Sequence, residues 1–239
     1  MPAPSVHAFA EKVALISDGS NPVGRAVAMQ LALQGSYVIA GLPADSAEHE
    51  NALNELKSLG TLANAVKADI TTVEGAKALV SEVEKMFGRI DLLVNCLKLE
   101  TDSAFDETGE KTFDKAVNAN LKSAFFVTQE ALKLMKPRPK PKIVNLVSAI
   151  DTPETEMNVL FSAVQTAVIG LTKSLAKTLP ANFRVNAVAV SEKQKQTENL
   201  DAELFRSKKG ISEDDVARTV VYLLSSEAIG LNGQVLTVE

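Results

Sequence analysis

An apolar run, Ile143 to Val147, ends in Ser148, and a long helical pattern follows that carries Phe161 and Gln165 one turn apart. A hydroxyl at a strand end can orient a carbonyl, and a protic side chain on the next helix would complete a proton transfer. This helix offers a phenyl ring and a neutral amide instead, and neither carries a proton in or out. The stretch has a strand-end hydroxyl without an acid beside it.

The elements that would position these residues are read from spacing. Phe161, Val164, Val168, Leu171, Leu175 and Leu179 recur at three or four residues and form one apolar stripe. Ala163, Ala167, Gly170 and Ser174 form a second face of small residues, suited to a close helix neighbour such as one from another subunit. Ordinary core packing is the structural alternative for both stripes. Strands are expected at Val13–Ile16, Tyr37–Ala40, Ala63–Lys67, Asp91–Asn95, Ile143–Val147, Arg184–Val190 and Gln234–Val238. Helices are expected up to Leu33, over Ala44–Leu59 and Thr72–Phe87, and over Asp106–Met135 with breaks near Gly109 and Asn118–Asn120. A further helix runs through Leu224 behind the acidic start Ser212-Glu213-Asp214-Asp215. Pro137 to Pro141 reads as a stiff exposed connector, and Ser191 to Gly210 as a polar surface excursion with a short helix near Leu200 to Arg206. Strand and helix alternate throughout, so residues 1–239 are expected to form one α/β domain, a doubly wound parallel sheet in three layers.

Composition narrows the function classes. A chain of 239 residues, 46% hydrophobic and 23% charged, can bury one large core. A net charge of -5 and a pI near 5.3 argue against a nucleic-acid or anionic-membrane surface. No apolar run is expected to be long enough to span a bilayer, and Met1 to Glu11 lacks the pattern of a signal peptide. Cys96 is the single cysteine, which rules out an internal disulfide and suits a reducing compartment, so a cytoplasmic protein is expected. His7 and His49 stand apart from each other and from Cys96, which leaves little to build a metal site from.

Several passages are specific in combination: Arg25 to Ala28, Gly88 to Asn95, Asn120-Leu121-Lys122, Ile169 to Ala176 and Arg184 to Val188. Their order resembles the short-chain dehydrogenase/reductase family over nearly the whole chain, especially the reductases of 3-oxoacyl thioesters. The resemblance implies a Rossmann-type sheet, a nicotinamide cofactor along the carboxyl ends of its strands, and a dimer or tetramer. It also implies a G-x-x-x-G-x-G turn after strand one, where this chain reads Asp18, Pro22 and Gly24. Asp18 sets an anion where the pyrophosphate would come, and Pro22 removes a backbone donor. Gly24 keeps a packing role, and Gly19 is the alternative residue for the turn. In structural terms, Asp18 or Asn21 could instead cap the first helix, with Pro22 in its first turn.

Asp69 matches the family's adenine-contacting acid, with capping of the next helix as its structural alternative. The N-N-A-G passage is altered to Asn95-Cys96-Leu97-Lys98, which would crowd the adenosine side of the cleft. Gly41 stands at the end of strand two, where a charge usually selects NAD or NADP, and Val190-Ser191 replaces a Pro-Gly. Of the family's Asn, Ser, Tyr and Lys, Asn120 and Ser148 match, while Phe161 and Gln165 occupy the tyrosine and lysine positions. In the family the tyrosine exchanges a proton with the substrate oxygen, and the lysine lowers its pKa and holds the nicotinamide ribose. Asn120 as a stabiliser of an interrupted helix, and Ser148 as a partner of loop backbone, are the structural alternatives. Tyr37 and Tyr222, the two tyrosines, start strand two and lie in the last helix, so neither is expected to reach Ser148.

The first reading is therefore a pseudoenzyme without cofactor, kept for assembly or regulation as a homo-oligomer or beside an active homologue. A second is an active NAD(P)-dependent carbonyl or 3-oxoacyl reductase in which Ser148, Asn120 and a water work differently. A third is a sensor whose cleft takes an uncharged or basic ligand suited to Asp18. Phe125-Phe126 and the small-residue face are the candidates for a subunit contact.

Overall fold

Strand β1, Val13–Ile16, is buried at every position, as a strand must be when helices cover both faces of its sheet. The computed structural model describes residues 8–42, 54, 63–96, 104–149, 159–190 and 212–238. After β1 come α1 (Pro22–Leu33), β2 (Tyr37–Leu42), β3 (Ala63–Lys67), α2 (Val73–Phe87) and β4 (Leu92–Asn95). Then follow α3 (Glu110–Val117), a π-helical turn (Asn118–Lys122), α4 (Ser123–Met135) and β5 (Lys142–Ser148). The chain continues as α5 (Val159–Thr178), β6 (Arg184–Val190), α6 (Glu213–Leu224) and β7 (Val235–Val238). The strands form one parallel sheet in the order β3-β2-β1-β4-β5-β6-β7. The order reverses between β1 and β4, which opens a crevice at their carboxyl ends. The expected helix over 44–59, apart from Asn54, lies outside the described residues, as do the excursion over 191–210, His7, His49, Leu97 and Lys98.

Alternation along β1 sorts the core into two layers. Ala14 and Ile16 pack with Val27 and Leu31 of α1 and Val216 and Val220 of α6 on one face. Val13 and Leu15 pack with Leu79 and Val83 of α2 and Val127 and Ala131 of α4 on the other. Both expected breaks fall where the residues change: Gly109 precedes α3 as its N-cap, and the π turn separates α3 from α4. At α6, Ser212 and Asp215 bond reciprocally, each side chain to the other's backbone N–H. The bonds from Ser212, and then Arg218, hold the Asp215 carboxyl down to about 2.

Four expectations change. Strand β2 runs beyond Ala40 to Leu42, because β3 goes on pairing with it through Leu42 and Lys67. Asp91 is not part of β4 but a buried ionic hub just ahead of it. Its carboxylate accepts from the Val13 N–H at 3.0 Å and from Arg138 Nε at 2.8 Å, with Arg89 Nε at 3.7 Å and Lys12 Nζ at 3.9 Å. The Pro137 to Pro141 connector is therefore held inward at Arg138 and at the buried Pro141 rather than exposed throughout.

The fourth concerns α5, which by length and composition is apolar enough to cross a bilayer, with a mean hydropathy of 1.4. Packing accounts for part of that character: Val168 lies against Val147, Ala187 and Ala189 of the sheet, and Leu160 and Val164 against Ala116 of α3. Only 28% of its most apolar window is buried, and apart from Val159 its exposed positions are small or polar. Ala163, Gly170 and Ser174 stand on its outer face, while Phe161, Leu171 and Leu175 are half-buried.

Replacing Asp91 by alanine should lower the unfolding free energy by about 2–3 kcal/mol in urea denaturation. That is below the cost of breaking a fully buried pair, because Lys12, Arg89 and Arg138 stay partly in water.

Candidate functional site

Parallel strands all end on the same edge, and at the switch point this brings the loop after β1 against the end of β4. The Ser17 N–H donates to the Val94 carbonyl at 2.9 Å, and the Ser17 hydroxyl accepts from the Cys96 N–H at 2.9 Å. The loop then closes on itself. Asp18 Oδ1 accepts from the Ser20 N–H at 2.8 Å and the Ser20 hydroxyl at 2.5 Å, and the Gly19 N–H donates to the Gly41 carbonyl at 2.7 Å. Of the two possible caps, Asn21 is the one used, with Oδ1 accepting from the Gly24 N–H at 3.0 Å and Pro22 opening the helix; Asp18 braces the loop instead.

This local chemistry bears directly on anion binding. The N–H groups of Gly19, Ser20 and Gly24 are all used within the protein, and Pro22 has none. A pyrophosphate at a helix N-terminus needs such donors free. Asp18 adds a carboxylate there, only 3% exposed. These bonded donors and the Asp18 carboxylate are what a dinucleotide's pyrophosphate would meet at this turn. Gly24 does keep a packing role, since a Cβ on it would stand 2.4 Å from the Asp18 carbonyl oxygen and 2.7 Å from Cys96 Sγ. Burial, and then the Asp18 charge, push the Cys96 thiol far above its usual range, so it remains protonated.

Two further expectations at this end are corrected. Gly41 lies inside β2, where an added Cβ would meet the Ser17 carbonyl oxygen at 2.3 Å, so the position holds no selecting charge of any kind. Asp69 is exposed and does not cap α2. Its Oδ1 accepts from the Thr71 N–H at 3.1 Å and hydroxyl at 2.6 Å, whereas the cap is Thr72, which accepts from the Gly75 N–H at 3.0 Å.

At the end of β5 the structure brings three of the expected residues together. Gln165, 1% exposed, accepts from the Ser148 N–H at 3.1 Å through Oε1, and its Nε2 lies 3.5 Å from Asn120 Oδ1. Asn120, fully buried in the π turn, donates to the Ala116 carbonyl at 2.9 Å. Phe161 sits one turn before Gln165 on α5, half-buried. An amide makes this bridge because it has both an acceptor and donors; an ammonium has no acceptor to offer the Ser148 N–H. Ser148, Asn120, Phe161 and Gln165 contain no group that titrates near neutral pH. Tyr37 begins β2, at the opposite edge of the sheet, and stacks on Phe87 at 5.3 Å, while Tyr222 lies on α6. Neither stands in for Phe161.

Asn95 belongs to a different network. Its Nδ2 donates to Thr128 Oγ1 at 2.9 Å and Asn145 Oδ1 at 2.8 Å; Asn145 donates to Thr172 Oγ1 at 2.8 Å, and Thr172 to the Val168 carbonyl at 2.9 Å. This chain of buried polar groups ties β4 and β5 to α4 and α5. Asn145, Thr128 and Thr172 were not among the expected residues. The available signal was an asparagine inside an apolar strand, which cannot stay buried without a partner. Among the described residues no three His, Cys, Asp or Glu side chains gather as a metal site.

The family model of the short chain dehydrogenases matches residues 12–200. This chain belongs to that family. It is 30% identical over 239 residues to the 3-oxoacyl-(acyl-carrier-protein) reductase FabG of Staphylococcus aureus, across 95% of this chain and 96% of that protein. A dehydrogenase/reductase from Sinorhizobium meliloti superposes with a TM-score of 0.86 at 25% identity, over 98% of this chain and 95% of that one. A short chain dehydrogenase from Burkholderia cenocepacia in complex with NADP gives 0.82 at 26% identity, over 99% and 98%. The expected Rossmann-type sheet and the likeness to 3-oxoacyl reductases are both met.

Gln165→Ala should cost about 1–3 kcal/mol in urea denaturation and speed hydrogen exchange at the Ser148 amide, because a buried donor and acceptor lose their partner. Gln165→Lys should not restore the protection at Ser148.

Proposed function

We propose that this short-chain dehydrogenase is a pseudoenzyme that works without a nicotinamide cofactor, its scaffold kept for assembly or regulation. The observation that carries this reading is Gln165: the residue in the lysine position is turned inward as a neutral bridge between Ser148 and Asn120. Phe161 beside it leaves no acid for a substrate oxygen, a loss of about 10²- to 10⁴-fold from general acid catalysis alone. The internally bonded donors of the loop after β1 point the same way at the other end of the cleft. In this reading the protein acts in the cytoplasm, without nucleic acid or membrane, as a homo-oligomer or with an active homologue. The outer face of α5 and the 44% exposed Phe125 supply its contact surface.

A second reading, an active NADP-dependent reductase, is favoured by the names of the relative from Staphylococcus aureus and the NADP complex from Burkholderia cenocepacia. The sensor reading loses its anchor, since Asp18 is buried and bonded to Ser20.

Thermal unfolding with millimolar NAD, NADH, NADP and NADPH separates the first two. A ligand at 100 times its Kd would stabilise the fold by about 2.7 kcal/mol. No shift is expected with any of the four. A clear shift with NADPH, together with turnover of a 3-oxoacyl thioester that disappears in Ser148→Ala, would establish the active reductase instead.

For the assembly, Gly170→Arg should reduce the particle mass in light scattering, since a Cβ at Gly170 meets nothing within 4 Å among the described residues. An unchanged mass would remove α5 from the interface.

A further inference from the structure

At the edge opposite the cleft, where β5 and β6 begin, a cavity of about 170 Å³ is lined by Pro139, Lys140, Lys142, Asn182, Arg184 and Ile229. Three of these side chains are cationic and none is acidic, on a chain whose net charge is -5. The nearby carboxylate, Asp91, is already engaged by Lys12, Arg89 and Arg138. Lys140, Lys142 and Arg184 make no ion pair among the described residues.

Their hydrogen bonds leave donors over. Lys142 is 6% exposed, yet its ammonium donates to a single acceptor, the Ser225 carbonyl at the end of α6. Arg184 donates Nε to the Ile229 carbonyl and Nη1 to the carbonyls of Ala181 and Phe183, at 2.6, 2.8 and 2.7 Å. Its Nη2 has no protein acceptor among the described residues. The exposed Lys140 has none either. Asn182 is turned toward the carbonyls of Arg138 and Pro139 and adds no negative charge. Burial, and then the charges of Arg184, Lys140 and Lys12, push the Lys142 ammonium down to about 8. Cations crowded in this way repel one another, and an anion in the cavity would relieve that cost.

We infer that this cavity binds a small oxyanion, either inorganic phosphate or the phosphate of a monoester, through Lys142 and Arg184 with Lys140 beside them. The two Nη2 hydrogens of Arg184 and the spare donors of two ammonium groups match the several acceptor oxygens and the charge of a phosphate better than they match a halide. The site lies across the sheet from the cleft, so it stands whether or not a dinucleotide binds there.

The test is phosphorus-31 NMR line broadening of inorganic phosphate and, separately, glycerol 3-phosphate, titrated with the full chain at fixed ionic strength set by sodium chloride. The wild type should broaden one or both signals saturably, and mutual competition identifies whether the free ion or the ester is preferred. Lys140→Ala, a change at an exposed side chain, should weaken binding by about tenfold, and Lys142→Met should weaken it at least as much. Circular dichroism checks that each variant is folded; if Lys142→Met is not, Lys140→Ala decides alone. Absence of saturable binding, or binding unchanged in the folded variants, would overturn the inference.

Discussion

A parallel sheet whose inner strands are hidden on both faces is the constraint on which the rest of this structure depends. Parallel strands need crossovers, crossovers bring helices onto both faces, and the strands must then be apolar throughout rather than alternately. The uninterrupted burial of β1, β4 and most of β5 and β6 follows from this. The same constraint puts all strand ends on one edge and all strand starts on the other. Polar chemistry is consequently confined to the two edges and to the few polar groups that can be satisfied inside. Asn145 and Thr172 are such groups, linked across β5 and α5, while Asn95 donates to Asn145 and keeps a buried carbonyl oxygen without a partner among the described residues.

The two edges differ in how their charges are resolved. At the carboxyl edge, polar groups are turned inward. Asp18 is held by Ser20, Asn21 by Gly24, and Gln165 joins Ser148 to Asn120, so the crevice closes its own hydrogen bonds. A neutral amide suits that role because it accepts and donates at once, and because it carries no charge whose burial would need a counter-ion. At the amino edge the balance is left open. Asp91 meets three cations, while Lys142 and Arg184 lean on backbone carbonyls alone. One edge thus satisfies its hydrogen bonds from within, and the other gathers positive charge on an acidic protein.

Among short-chain dehydrogenases, this chain shows how packing and chemistry separate. Packing residues close the sheet: Asp91 behind β4, Gly24 under Asp18 and Cys96, and the apolar face of α5. Phe161 and Gln165 stand one turn apart on α5 and offer no proton to the cleft. The fold places no requirement for a proton donor at position 161, because a half-buried ring packs there as well as a phenol would.

The sequence by itself determined the order and kind of the elements, since uninterrupted apolar runs and three- or four-residue spacing carry that information locally. It located the breaks at Gly109 and the π turn, the start of α6 at Ser212, and the absence of a protic group at positions 161 and 165. Tertiary structure alone decided which polar groups meet. Gln165 is 45 residues from Asn120 along the chain, and nothing in the local pattern announces their contact. Asn21 rather than Asp18 became the cap because the Asp18 carboxylate is drawn onto Ser20, and Thr72 displaced Asp69 at α2 for the same kind of reason. The cluster of Lys140, Lys142 and Arg184 is likewise assembled only when β5 and β6 lie side by side. Local spacing specifies faces; distances across the sheet specify partners, and charge and hydrogen bonding act through those partners.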